Sequence, residues 1–371
     1  MCVVNSRASF LVVLSLSLPA AAQSWHLGPA TLIHEYGAQP SLWNGTVAYL
    51  EGNGGAVMFY NGTATTHIYG PDTNSWEPAI ANGTIAWRNT TSDAASSEIL
   101  LWDGQAVVNL SNSPGIIDCD LASGGNGDLI WTQDHTWLMY YDASIGCVQP
   151  LGIRGVHPSL YITASGTATY AFQDPDTDEV KYFDGEVVHS LGPGASYGAK
   201  PSLWDGRIVW VGEGEGTLFT TAELFHWENG DTQRITDDDA VGGVIDLNPS
   251  IYNGVVIWSR HTYGPFLPPR LFLWDGQGMT QLSSTGGKFP SFHGGDVVWE
   301  DYDGMYTAAV VSPIDGDCNG NGMHDAEDFH VVASCLTGPG GPNGNPMCDC
   351  GQLDADGDVD LVDIAVLQTL F

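Results

Sequence analysis

Pro201-Ser202-Leu203-Trp204-Asp205-Gly206-Arg207-Ile208-Val209-Trp210 is the stretch whose reading decides the fold. Its Asp-Gly pair supplies the positive φ angles of a tight hairpin turn, and the residues on either side read as two short strands. The pattern stands again at 40–49 (PSLWNGTVAY), 78–87 (PAIANGTIAW), 249–258 and 290–299, with a copy beginning Pro158-Ser159-Leu160 and a degenerate, glycine-rich copy at 119–131. From Pro40 to Pro290 is 250 residues over six intervals, a period of about 42.

A second Asx-Gly motif follows most copies: Asn61-Gly62, Asp103-Gly104, Asp184-Gly185 and Asp275-Gly276. Each unit therefore reads as strand, turn, strand, variable loop, strand, turn, strand. Four strands at a period near 40 make a β-propeller blade, and seven copies make seven blades. The seventh unit stops after a third strand at 305–311, and residues 30–36 look like an orphan fourth strand. The expectation is that the N-terminal strand completes the last blade and removes an open sheet edge. Over roughly residues 27–313 the repeat resembles the propeller of TolB-type proteins. That resemblance implies a fold and leaves function open.

Trp87, Trp131, Trp210, Trp258 and Trp299 share one repeat position, with Tyr49 and Tyr170 as equivalents. Recurrence at one structural position points to packing between blades. Trp25, Trp76 and Trp137 lie off that register and are the candidates for exposure.

The chain of 371 residues is long enough for two or three domains, and its ends differ from the repeat. Residues 1–22 hold one basic residue, Arg7, an apolar run at 10–18, Pro19 and three alanines before Gln23. This is the pattern of a secretory signal peptide. Nine apolar residues fall short of the ~20 that cross a bilayer. The expected product is exported, either secreted or held at the cell surface, with a propeller over 23–313 and a separate domain over 314–371.

Net charge is −34, with 10 basic against 44 acidic residues. A nucleic-acid surface needs a basic patch that this chain can hardly build, and anionic membranes are disfavoured for the same reason. Segment 315–371 holds eleven acidic residues and no Lys or Arg. Within it, Asp317, Asn319, Asn321, Met323, Asp325 and Asp328 occupy positions 1, 3, 5, 7, 9 and 12 of a loop with Gly322 at position 6. Calcium takes six to eight oxygen ligands on a loop that turns sharply at its sixth residue. Gln352, Asp354, Asp356, Asp358, Asp360 and Asp363 repeat the spacing around Gly357. Gln352 brings no charge, so the second Ca2+ site is expected to be the weaker. Helical apolar spacing follows each loop.

This doubled loop resembles a type I dockerin, which implies a small α-helical domain, calcium-dependent folding and docking onto a cohesin-like partner. The departure lies at loop positions 10 and 11, where Ala326-Glu327 and Leu361-Val362 lack the usual hydroxyl pair.

Six cysteines follow the signal peptide. Four lie in the tail, where three pairings are possible; Cys335 with Cys348 and Cys318 with Cys350 are the expected ones. Cys119 starts an inner strand and Cys147 an outer strand of one blade. Three strand spacings exceed the ~7 Å reach of a disulfide, so these two are expected to be free. The acidic run at 174–179 has Glu179 where a calcium loop needs Gly and reads as a solvated loop. Asn-x-Thr triplets at Asn44, Asn61 and Asn82 read as turns.

Two function classes remain. One is a non-catalytic interaction protein, its propeller presenting a binding surface, a glycan among the possible ligands, and its tail attaching through calcium. The alternative is an extracellular polysaccharide-degrading enzyme, a glycoside hydrolase or lyase, for which paired carboxylates would have to converge on the channel. No nucleophile elbow, phosphate loop or CxxC motif is present, and no catalytic residue can be named.

Overall fold

A computed structural model describes residues 25–311, apart from 53–54, 71–73, 91–95, 196–197, 214–221, 238–242 and 263–266. Beyond 311 it describes 329, 332, 333, 336, 361, 364 and 365. Within 25–311 the secondary structure is strand and turn.

Seven antiparallel sheets follow one another along the chain. Blade 1 spans 37–69, blade 2 74–109, blade 3 118–154, blade 4 156–193, blade 5 202–234, blade 6 244–281 and blade 7 288–311. In each, consecutive strands are hydrogen-bonded neighbours, the first innermost. Blade 7 supplies three strands of its own. The N-terminal strand Thr31–His34 pairs with Met305–Val311 as its fourth. Closure runs further than expected: His26–Leu27 pairs with the far end of the same strand, at Val310 and Val311. The segment between them, Gly28-Pro29-Ala30, is not strand; Pro29 has no N–H to give to the ladder.

The two Asx-Gly motifs build different turns. At the first, both residues take positive φ: Asn44 and Gly45 at 43° and 72°, Asp205 and Gly206 at 45° and 75°. That is the primed hairpin turn whose twist matches the strands. At the second, only the glycine does so, as in Gly104 at 95°. There the Asp103 carboxylate accepts the N–H groups of Gln105 and Ala106, and Asp184 and Asp275 repeat the arrangement.

Among the described residues the core has no single centre. Seven apolar clusters each span two neighbouring blades, as where Leu50 and Val57 of blade 1 meet Ile80, Ile85 and Trp87 of blade 2. The expected packing aromatics are buried: Tyr49, Trp87, Trp131, Trp210 and Trp258 at 0%, Tyr170 at 4% and Trp299 at 5%. Trp137 is exposed, whereas Trp25 and Trp76 are half-buried. Cys119 and Cys147 are free thiols, as their strand positions require. Asp174 and Asp176 are occupied by Lys181 and Arg154.

Candidate functional site

In every blade the residue just before the proline of the innermost strand, or before Leu121 in blade 3, takes a left-handed backbone. Gln39, Glu77, Asp120, His157, Lys200, Asn248 and Phe289 hold φ between 42° and 55°. Side chains other than glycine rarely adopt this region, and it marks sites held by their surroundings. The bulge suits proline, whose missing N–H costs the ladder nothing there. Six of the seven innermost strands shift register at this point. The position also aligns the degenerate third unit with the other six, Asp120-Leu121-Ala122 standing where Lys200-Pro201-Ser202 stands in blade 5.

Two residues on comes the serine of the repeat, which joins blades. Ile80 N–H donates to Ser41 Oγ, Leu203 to Ser159, Ile251 to Ser202, Phe292 to Ser250 and Leu42 to Ser291, at 3.0–3.2 Å. Ala79 and Ala122 replace it in blades 2 and 3. There Ser123 Oγ donates instead to Ile80 O at 3.1 Å.

Two residues further the column reads Trp43, Ala81, Gly124, Tyr161, Trp204, Tyr252 and His293. A strand period of two keeps serines and aromatics on one face, and Ser41, Ser159, Ser202 and Ser250 with Trp43, Tyr161, Trp204 and His293 line an axial cavity of about 440 Å³. Ring centroids of Trp43 and His293 lie 4.0 Å apart, Trp204 and Tyr252 4.2 Å, Tyr252 and His293 4.6 Å, and Tyr161 and Trp204 5.0 Å. The small residues of blades 2 and 3 leave room opposite. The Trp43 ring reaches Gly125, where an added Cβ would meet it at 2.8 Å.

This cavity is uncharged: its lining is serine, threonine, asparagine, apolar and aromatic side chains and His293. His293 is 8% exposed, and burial pushes its imidazole down to about 4. Nδ1 accepts the Asn44 N–H at 3.2 Å, which puts the proton of the neutral ring on Nε2. That N–H has no partner. A buried donor without an acceptor is costly, and a ligand oxygen in the cavity would satisfy it.

The bulge residues form a polar arc linking blades. Gln39 N–H donates to Glu300 Oε1 at 2.5 Å, Glu77 N–H to Gln39 Oε1 at 2.9 Å, Asp120 N–H to Glu77 Oε2 at 2.7 Å and His157 N–H to Asp120 Oδ2 at 3.3 Å. Arg88 pairs with Glu77 at 3.2 Å and His157 with Asp120 at 3.2 Å. Burial raises the Glu77 carboxyl against the pull of Arg88. Burial also acts to raise Asp120, but the His157 hydrogen bond and charge outweigh it and hold that carboxyl below the usual range. The neighbouring Cys119 thiol is pushed up by burial and by the Asp120 and Glu77 charges, so it is no thiolate nucleophile.

The twelve calcium-ligand positions, Asp317 to Asp328 and Gln352 to Asp363, lie outside the described residues, as do the four tail cysteines. Their donor set, all oxygen, suits Ca2+. Phe329, Val332, Ala333, Leu361, Ile364 and Ala365 have helical backbone. Among the described residues no three His, Cys, Asp or Glu side chains are grouped to hold a metal, and no helix is long and apolar enough to cross a membrane.

No protein-family model matches the chain, and no curated protein matches it. Solved structures match in fold. The β-propeller domain of the trilobed protease from Pyrococcus furiosus is similar at a TM-score of 0.54 and 13% identity, over 77% of this chain and 98% of that one. That domain has an open velcro topology, whereas here N-terminal strands complete blade 7. A catalytically inactive virginiamycin B lyase from Staphylococcus aureus, solved with quinupristin, is similar at 0.53 and 11% identity, over 78% and 100%. TolB from Acinetobacter baumannii matches at 0.41 and 14%, over 66% and 62%, too low a score to carry an argument. At such identities the likeness is one of fold, and it identifies this chain as a seven-bladed β-propeller with no function attached.

Proposed function

We propose that the chain is an exported, non-catalytic binding protein. Its propeller takes a neutral, hydroxyl-bearing ligand, of which a glycan is the leading class, into the axial cavity. Its tail binds two calcium ions and attaches to an extracellular partner. The observation that carries the first part is an uncharged, aromatic-lined axial cavity with the unsatisfied Nε2–H of His293 in its wall, inside a chain of net charge −34. Its volume is within the usual range of small-molecule sites.

The enzymatic alternative has less support. Glycoside hydrolysis needs two carboxyl groups flanking the scissile bond, and the axial lining has no Asp or Glu. Glu77 and Asp120 in the polar arc spend oxygens on backbone N–H groups of the next blade.

The test is an array of neutral glycans probed with chain 23–371 and with its Trp204→Ala variant. Binding by the first and not the second supports the reading; a flat array removes the glycan class. Calcium titration of the same chain should give two events, one of them lost in Asp317→Ala. No calcium binding would remove the attachment role.

A further inference from the structure

A second cavity, of about 450 Å³, opens where the hairpin turns of blades 5, 6 and 7 meet the N-terminal segment. We propose that it is a second saccharide site, built by Trp25, Tyr252 and Trp274 as apolar walls and by Arg207, Glu228 and Asp275 as hydroxyl partners. The proposal rests on the binding role above and extends it to a neighbouring cavity that shares Phe292 with the axial lining.

Trp25 lies outside the blade repeat; it is half-buried, with one side packed on the apolar cluster between blades 6 and 7 and another lining the cavity. Its indole N–H donates to Asp275 Oδ2 at 2.8 Å, across 250 residues of sequence. Asp275 also accepts the N–H groups of Gln277 and Gly278 in its turn, so both partners are fixed. Arg207 Nε donates to Glu228 Oε1 at 2.7 Å, and the two side chains are about one-third exposed. His226 lines the cavity at 6% exposure, with its Nε2 unpartnered and its ring 5.0 Å from that of Trp274.

The chemistry selects the ligand class. A cation would meet the Arg207 guanidinium, and an anion would meet Asp275 and Glu228. A sugar hydroxyl both donates and accepts, and so can use all three. The flat C–H face of a pyranose suits the aromatic walls, and the volume is that of a small-molecule site.

The experiment is calorimetric titration of chain 23–371 with cello-, xylo-, manno- and malto-oligosaccharides. The variants are Trp25→Ala, His226→Phe and, for the axial cavity, Trp43→Ala, because Trp43 lines only the axial cavity whereas Trp204 packs on Tyr252. His226→Phe keeps the ring and removes the buried unpaired nitrogen, so it should fold at least as well as the parent. Binding that weakens about tenfold or more in Trp25→Ala and His226→Phe, and persists in Trp43→Ala, establishes the site. Binding lost only in Trp43→Ala overturns this proposal and leaves the axial one standing. No binding by any of the four series overturns it as well.

Discussion

The backbone N–H of Asn44 in blade 1 donates to Nδ1 of His293 in blade 7, at 3.2 Å. Of the three side-chain hydrogen bonds described between the first blade and the last, this one fixes the tautomer of the imidazole in the axial wall. Burial holds this ring at about 4 against its ordinary 6.5. The unfolded chain therefore takes up the proton first. The stability that depends on a neutral ring is complete above pH 6.5 and is lost as pH falls towards 4. Relative to a His293→Asn variant, the parent should lose on the order of 3 kcal/mol between pH 7 and pH 4. Urea unfolding at the two pH values measures it, and parallel profiles would contradict it.

The serine ring gives a stability prediction. Ser202→Ala leaves the Ile251 N–H of the next blade without its acceptor, and Ser250→Ala does the same to Phe292. Each should cost about 1–2 kcal/mol in guanidinium unfolding. An unchanged midpoint in both would mean that water replaces the hydroxyl and that the ring does not hold blades together.

The bulge position predicts an order of substitutions. Lys200 has an exposed side chain at φ 42°, so backbone conformation decides what it tolerates. Lys200→Gly should be at least as stable as the parent, and Lys200→Val should lose about 2 kcal/mol through the left-handed penalty of a β-branched residue. Thermal melts of the three chains test this; a valine variant as stable as the glycine one would refute the strain.

Asp246 supports blade 6 from within. It is fully buried, receives two bonds from Arg260 at 2.8 Å each and one from the Trp258 indole at 2.7 Å. Asp246→Ala takes both carboxylate acceptors from a guanidinium that is only 15% exposed and should cost about 3 kcal/mol. The double change with Arg260→Met should recover much of that. A double variant no better than Asp246→Ala would show that the ion pair is not the source of the loss.

The blade count and the buried aromatic column were legible in the sequence because each rests on a local rule that recurs from blade to blade, and the closing strand because the last unit lacked its fourth strand. Asx-Gly fixes a turn, alternation fixes a face, and a recurring Trp fixes an interface. The site was harder to read for the opposite reason. Gln39, Glu77, Asp120, His157, Lys200, Asn248 and Phe289 share no chemistry; what unites them is a backbone angle. The available signal was positional, a changing residue directly before the repeated proline. His293 stands in the aromatic column where Trp, Tyr and small residues stand in the other blades. Its missing partner depends on contacts between blades 1 and 7, which only closure of the ring brings together. Trp25 stood out because it fell off the repeat register. Its partner Asp275 was readable only as a turn residue, since their contact crosses the ring closure.

The measurement that most directly tests the axial cavity as the ligand site is histidine side-chain NMR of chain 23–371, followed through titration with a neutral oligosaccharide. His293 should show a neutral ring protonated at Nε2 and unchanged well below pH 6, and this Nε2–H signal should move as ligand is added. A ligand that binds while the His293 signal stays still would contradict the account.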